Sequence, residues 1–386
     1  MALAQKTLGF FIFATLGSAL ASLGAFLSIE TYFHSIKYLG MALSLRTLSS
    51  CLFGFNATSL IQKLGLKNSF FVSQFIAFFS LAVLFTGFYY HQFYIVLLGL
   101  ILIGLPITFS TILLTITFKM ASSENNIYRK YSGSRELIFG IARLCACLLA
   151  PLLLFKFNLD VILTICCLLF VISGMFLLGV HLRNLTEEHS SKPVLRISSL
   201  ISSRNTWIYV CQTTASFLLA ALIPILASSN NISFTQHLPP LLRQSLWAIE
   251  SITMILASAF YLLANQFRNN NLVKTVLMLN GFLLTLILLS TSPAMIMLVV
   301  TLISISMMLS FYIFRDDYVI TADNDAGLLG AHAAFSAVQK DFIYSISPVL
   351  LAYLLTNYFL QDVIVIVLVI QFTFFIITKY LQRFPK

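Results

Sequence analysis

The feature that most constrains this chain is the recurrence of uninterrupted apolar runs about as long as a bilayer is thick. A helix that crosses the hydrocarbon core needs about 20 predominantly apolar residues. Runs of that length, bounded by charge, Gly, Pro or Asn, follow one another from end to end. They predict twelve helices at about 7–29, 38–60, 69–88, 93–118, 135–157, 161–180, 207–228, 243–264, 274–292, 294–314, 330–356 and 361–378. The expected fold class is therefore an all-α polytopic membrane protein. Composition agrees: 59% of residues are hydrophobic and 9% charged, where a soluble domain carries about 25% charged residues. Such a chain cannot cover a water-facing surface, which excludes a soluble enzyme, a nucleic-acid-binding domain and a disordered protein. Twelve spans use most of the 386 residues and leave no room for a separate soluble domain. The first run is too long for the core of a signal peptide and lacks a clear small-residue cleavage site, so it is read as the first span.

The net charge of +10 reports loop charges beside a membrane. With the N-terminus placed in the cytoplasm, most of the 23 lysines and arginines fall on the cytoplasmic side, Arg135 and Arg315 counted among them as loop or edge charges. The opposite side holds Lys37 and Lys156. Arg46, Arg143, Arg243 and Lys340 lie within or at the edge of spans. This asymmetry predicts an even number of spans with both termini cytoplasmic. The longest polar stretch runs from His181 to Asn205. It divides the chain into an expected six-helix bundle at 1–180, a linker at 181–206 and a second bundle at 207–386. The halves look related. Arg143 precedes Pro151 by eight residues and Lys340 precedes Pro348 by eight; Asp-Val-Ile triplets follow at Asp160 and Asp362. Interior charges fall in spans two, five, eight and eleven, as a three-helix unit used four times would give.

Twelve spans in two halves with a cytoplasmic linker resemble the major facilitator superfamily. That family's loop between spans two and three often reads Gly-x-x-x-Asp-Arg-x-Gly-Arg-Arg. The matching stretch here is Thr58-Ser-Leu-Ile-Gln62-Lys63-Leu-Gly65-Leu-Lys67, in which Lys63, Gly65 and Lys67 match in type. Thr58 replaces Gly, Gln62 replaces Asp and Leu66 replaces the first Arg of the closing pair. The loss of Asp removes a charged contact that stabilises the outward-open state in well-matched members. The second-half loop, Gln266 to Lys274, matches less well. The stretch Ser123 to Gly133 resembles the Arg-Gly segment before span five. The Gly-Pro motif of proton-coupled drug exporters is not clear in span five, where Arg143-Leu-Cys-Ala-Cys-Leu-Leu-Ala-Pro151 has no Gly before the Pro. The resemblance implies a secondary active transporter working by alternating access, with no cofactor and no enzymatic step.

A charge in the bilayer interior costs about 2.5–3.5 kcal/mol unless it meets a partner or a wet cavity, so interior charges are the candidate site. Arg46 lies roughly 13 Å into span two at 1.5 Å per residue. It is expected to bind an anion or to pair with Glu30. Glu136, Gly140, Arg143 and Cys147 share one face of span five. Glu136 and Arg143 are about 10 Å apart along that helix, too far to bond. Arg143 is expected to meet substrate, and Glu136 to pair with Lys63 or Lys67 in a cytoplasmic gate that also contains Gly65. Lys340 is the repeat counterpart of Arg143. Asp341, its neighbour, points to another face. Asp341 and Glu250 are candidates for proton coupling, because a carboxyl in an apolar site exchanges protons nearer neutral pH. A fixed pair, such as Asp341 with Arg143, is the structural alternative. Arg243, Trp247 and Glu250 share one face of span eight. Gln212, Thr213, Asn280, Ser110 and Thr111 are read as helix–helix hydrogen-bonding residues or lining of a path.

The remaining polar features carry less. Asp316, Asp317, Asp323 and Asp325 read as an acidic, solvated loop after span ten, and their spacing does not match the Asp-Asp-x-x-Asp of a membrane prenyltransferase. The six cysteines fall in apolar runs and read as small buried residues. The six histidines are scattered with no metal-ligand spacing, and no Walker lysine motif occurs. The combined expectation is a monomeric transporter in a bacterial inner membrane, its partners being lipid, protons and a small anionic solute: a carboxylate metabolite, a siderophore or an organophosphate. Arg46, Arg143 and Lys340 would bind that solute. The alternatives are multidrug-type efflux of amphipathic compounds and a membrane-embedded lipid or prenyl enzyme using the acidic loop.

Overall fold

The computed structural model describes residues 2–33, 36–121, 125–177, 203–219, 240–263, 270–289, 293–321 and 326–383. Among these residues the regular structure is helical throughout, with no strand. The helices are α1 (Ala2–Phe33), α2 (Ile36–Tyr89), α3 (Phe93–Ala121), α4 (Asn125–Lys156), α5 (Leu159–Leu177) and α6 (Arg204–Phe217). They continue as α7 (Pro240–Leu263), α8 (Asn271–Met278), a 3₁₀ turn (Asn280–Leu284), α9 (Thr285–Leu288), α10 (Pro293–Ile320), α11 (Ala326–Asn357) and α12 (Leu360–Arg383). At least part of every predicted span falls on one of these. Seven stretches among the described residues are long and apolar enough to cross a bilayer by length and composition. In a bilayer a helix satisfies its own backbone groups, which is why long apolar runs take this form.

Spans two and three are one helix broken at a single residue. Gly65 has φ 76° and ψ 164° inside α2. That region is essentially confined to glycine and costs other residues about 1–3 kcal/mol. The glycine of the Lys63-x-Gly65-x-Lys67 motif thus has a backbone reason. It divides two spans that have no loop between them.

The helices group into two compact units. One contains Met1–Arg196 and Ala322–Phe342; the other contains Ile197–Thr321 and Ile343–Lys386. The first part of α11 therefore packs with the first unit. There Cys51 Sγ of α2 donates to the Val338 carbonyl at 3.5 Å. The two halves repeat one neighbour scheme. In the first, α1 packs along α5 and against α3, and α2 packs on α3; in the second, α6 packs along α12 and against α10, and the 3₁₀ turn packs on α10. The first core runs through Leu20, Phe26, Leu84, Val96, Leu100, Ile162 and Phe170. The second runs through Leu218, Leu284, Val300, Ile303, Val363 and Val367. These are two pseudo-symmetric six-helix bundles.

Each unit turns apolar faces outward. On α12, Val365, Val369, Phe372 and Ile376 are all more than half exposed, while Val363, Ile364, Val367 and Gln371 are buried. An exposed stripe this apolar belongs against lipid tails. Tyr89, Tyr90 and Tyr94 around the α2–α3 turn, Phe155 at the α4–α5 turn and Phe359 at the α11–α12 turn are all strongly exposed. Aromatic residues at span ends fit the bilayer interface.

The ninth span is discontinuous, and amides repair the break. Gln371 of α12 is fully buried. Its Nε2 donates to the Ala215 carbonyl at 2.9 Å and to Asn280 Oδ1 at 2.7 Å. Its Oε1 accepts from the Gly281 backbone N–H at 2.8 Å. Asn280 Nδ2 in turn donates to the Ser216 carbonyl at 3.2 Å. A Cβ at Gly281 would stand 2.4 Å from Gln371 Oε1, so a side chain there would displace the amide from this position. The helix-to-helix bonding role expected of Asn280 is thus what the structure gives it. Each buried polar group left without a partner costs about 1–3 kcal/mol. Gln371→Leu orphans three of them. It should lower unfolding stability by at least about 2 kcal/mol in detergent, with the apolar exchange itself contributing little. A thermal unfolding curve that matches wild type would contradict this.

Candidate functional site

Arg46, Arg143 and Lys340 all belong to the first compact unit. Each is half-buried. Arg46, in the first part of α2, holds its guanidinium 5.8 Å from the ring centre of Phe26 on α1. Arg143 lies 5.9 Å over Phe139, one turn earlier on α4. Cation–π contacts of this kind support a guanidinium without neutralising it. Lys340 Nζ is 3.7 Å from Asp341 Oδ1, and the two side chains are 30% and 15% exposed. This differs from the expectation that neighbours on different faces do not meet. The four-carbon stem of lysine is long enough to bend back over the adjacent residue. At 3.7 Å the contact is Coulombic and not a hydrogen bond. The polar side of α11 is broader than the sequence suggested: His332, Ser336 and Gln339 are all buried, at helical spacings of four and three. Periodicity over 332–340 was the available signal, masked by the uncertain start of that span.

The gate residues have different surroundings from those expected. Lys63 and Lys67 are exposed on either side of the Gly65 break. Glu136 takes its neighbour Arg135 as a partner: Arg135 Nε and Nη2 donate to Glu136 Oε1 at 3.0 and 2.5 Å. Arg135 Nη1 donates to Thr115 Oγ1 of α3 at 2.7 Å. Arg135 is 2% exposed. It was counted as an edge charge because span five was expected to start at 135; α4 starts at Asn125, so Arg135 lies well inside the helix. Glu250 lies on α7, and its side chain, like those of Arg243 and Trp247, is outside the described residues, as is that of Glu30.

The acidic loop after span ten is corrected. Helix α10 runs to Ile320, so Asp316 and Asp317 are helical. Asp316 is fully buried. Arg315 Nε and Nη2 donate to its Oδ1 at 3.0 and 2.9 Å, and the Tyr261 hydroxyl of α7 donates to its Oδ2. The Arg315 guanidinium also lies 5.0 Å over Phe311 and 5.7 Å over Tyr312. Asp317 Oδ2 accepts from Lys274 Nζ of α8 at 2.7 Å. Next to them, Tyr318 stacks on Tyr209 of α6 at 4.4 Å, and the Tyr318 and Thr206 hydroxyls bond at 3.0 Å. These contacts tie α6, α7, α8 and α10 together at one end. Asp323 and Asp325 fall outside the described residues. The signal was an Arg-acid dipeptide, at 135–136 and again at 315–316, beside an apolar run. Among the described residues no group of three His, Cys, Asp or Glu side chains could hold a metal ion.

Comparison with known proteins identifies the fold. No protein-family profile matches the chain, and no curated sequence does. Solved structures do. The E. coli fucose:proton symporter superposes with a TM-score of 0.70 at 12% identity, covering 96% of this chain and 98% of its own. The human organic anion transporter MFSD10 gives 0.73 at 14% identity, with 98% and 99% covered. A bacterial homologue of the iron transporter ferroportin, in its outward-facing state, gives 0.71 at 12% identity, with 98% of each covered. The chain has the major facilitator fold over nearly its whole length.

The buried Arg315–Asp316 pair generates a test. Removing one partner of a buried ion pair costs about 3–5 kcal/mol, while replacing both with apolar residues is often near neutral. Asp316→Leu should therefore lower the unfolding temperature far more than the double substitution Arg315→Met, Asp316→Leu. Equal losses in the two variants would show that the pairing is not what the helix end depends on.

Proposed function

We propose that the chain is a secondary transporter that moves a small anionic organic solute across a membrane by alternating access. The observation that carries this is that three cationic side chains, Arg46, Arg143 and Lys340, are half-buried at interior span positions of one compact unit. Two of them rest on aromatic rings, Arg46 on Phe26 and Arg143 on Phe139. A carboxylate or phosphate is the ligand a guanidinium fork binds best. The fold supports the transporter class, since a fucose:proton symporter, an organic anion transporter and an iron transporter homologue share it. The enzyme alternative loses its motif, because Asp316 and Asp317 are engaged with Arg315, Tyr261 and Lys274.

In this reading the halves at 1–180 and 207–386, joined by 181–206, rock about the site. Glu250 and Asp341 carry the coupling proton. Asp341 beside Lys340 lets protonation and anion binding affect one another, since each changes the charge the other meets. Lys63, Gly65, Lys67 and Glu136 form the cytoplasmic gate. The protein is a monomer in a bacterial inner membrane with both termini in the cytoplasm.

The test is flux into proteoliposomes under an imposed pH gradient, with labelled organic anions, organic cations and neutral amphipathic compounds. An anion should move down the gradient, and Arg143→Ala and Lys340→Ala should each cut its flux at least ten-fold at unchanged protein level. Flux limited to cations or neutral compounds, or anion flux indifferent to both substitutions, would overturn the assignment.

A further inference from the structure

Helix α11 is one 32-residue helix, yet its two parts belong to different compact units. The division falls between Phe342 and Ile343, just past Lys340. Before it, eight of the nine residues from Ala331 to Gln339 are buried, and four of them are alanine. A helix buried on every side is a core element of its bundle, and small residues let membrane helices approach closely. Beyond the division the helix turns an apolar face outward, with Ile346 and Tyr353 both exposed.

Helix α2 provides a notch for the first part at Gly54. A Cβ added there would overlap Val338 Cγ2 and stand 3.7 Å from Val338 Cβ, with Thr108 Cγ2 of α3 at 3.8 Å. About one turn earlier on α2, Cys51 Sγ meets the Val338 carbonyl at 3.5 Å. Shortly past the division the helix has a weak point. Pro348 has no N–H to donate to the Tyr344 carbonyl, and a proline is where a helix most readily kinks.

We propose, resting on the transporter reading above, that the part of α11 before the division is a permanent member of the first unit and that α11 bends between Ile343 and Pro348 during transport. Lys340 then travels with Arg46 and Arg143 as part of one body, and the solute stays with that body through the cycle. The boundary between the moving parts lies inside α11 as well as at the linker 181–206. Were α11 to move rigidly with the second half, the Gly54–Val338 contact would have to open in every cycle.

A covalent lock at that contact tests the proposal. The 3.7 Å separation of Cβ positions suits a disulfide, and pairing Gly54→Cys with Val338→Cys removes the overlapping methyl. The pair is made in a Cys51→Ser chain, reconstituted in proteoliposomes and oxidised with copper phenanthroline, and the bond is confirmed by mass spectrometry. Flux of the labelled anion should stay within two-fold of that of the reduced protein. Flux that falls at least ten-fold on oxidation and returns with reductant would overturn the proposal. Absence of flux in wild type is a failure of the transporter reading itself, visible before any cysteine is introduced. Spin-label distances need no solute and no disulfide. With labels carried on unnatural amino acids at Phe53, Phe342 and Tyr353, all exposed, the 53–342 distance should be the same at pH 5 and pH 8 while the 53–353 distance shifts by several Å. A shift at 53–342, or two distances equally fixed, would overturn the proposal.

Discussion

Hydrocarbon offers no hydrogen bonds, and that one constraint orders the whole molecule. Every backbone group within the bilayer must close within a helix, so the regular structure is helical throughout the described residues. Every break in a helix must then find its partners from a neighbour. The 3₁₀ turn at Asn280–Leu284 is such a break, and it persists because Gln371 reaches across from α12 to complete it. The same rule applies to charge. Arg135 and Arg315 are buried: Arg135 is held by Glu136 and Thr115, and Arg315 by Asp316, which also accepts from the Tyr261 hydroxyl.

Arg46, Arg143 and Lys340 differ from these buried cations in exposure. They are half-buried where Arg135 and Arg315 are almost fully buried. Arg46 and Arg143 lie on aromatic faces, and Lys340 Nζ lies 3.7 Å from Asp341 Oδ1. The structural cations are locked to carboxylates at hydrogen-bond distance.

The spans were legible because bilayer thickness sets a length that the apolar runs repeat. The pseudo-repeat was legible in Arg143 and Lys340, each eight residues before a proline. Gly65 was legible as a motif position, though not as the residue whose φ of 76° alone separates two spans. What escaped were the span ends. Helix α4 begins at Asn125 and α10 continues to Ile320, so Arg135, Arg315 and Asp316 were taken for surface charges. Hydropathy falls at an Arg-acid dipeptide whether it faces water or a partner, so a local window cannot separate the two. The Gln371–Asn280 bond spans 91 residues of chain and leaves no local trace at either end.

The central claim is that these three cations bind the transported solute. Equilibrium binding of an organic-anion panel to the purified protein, beside Arg46→Gln, Arg143→Gln and Lys340→Gln, tests it most directly. The account predicts an anion that binds wild type and binds each variant at least ten-fold more weakly, with unfolding temperatures alike. A solute bound equally well by wild type and all three variants would contradict it.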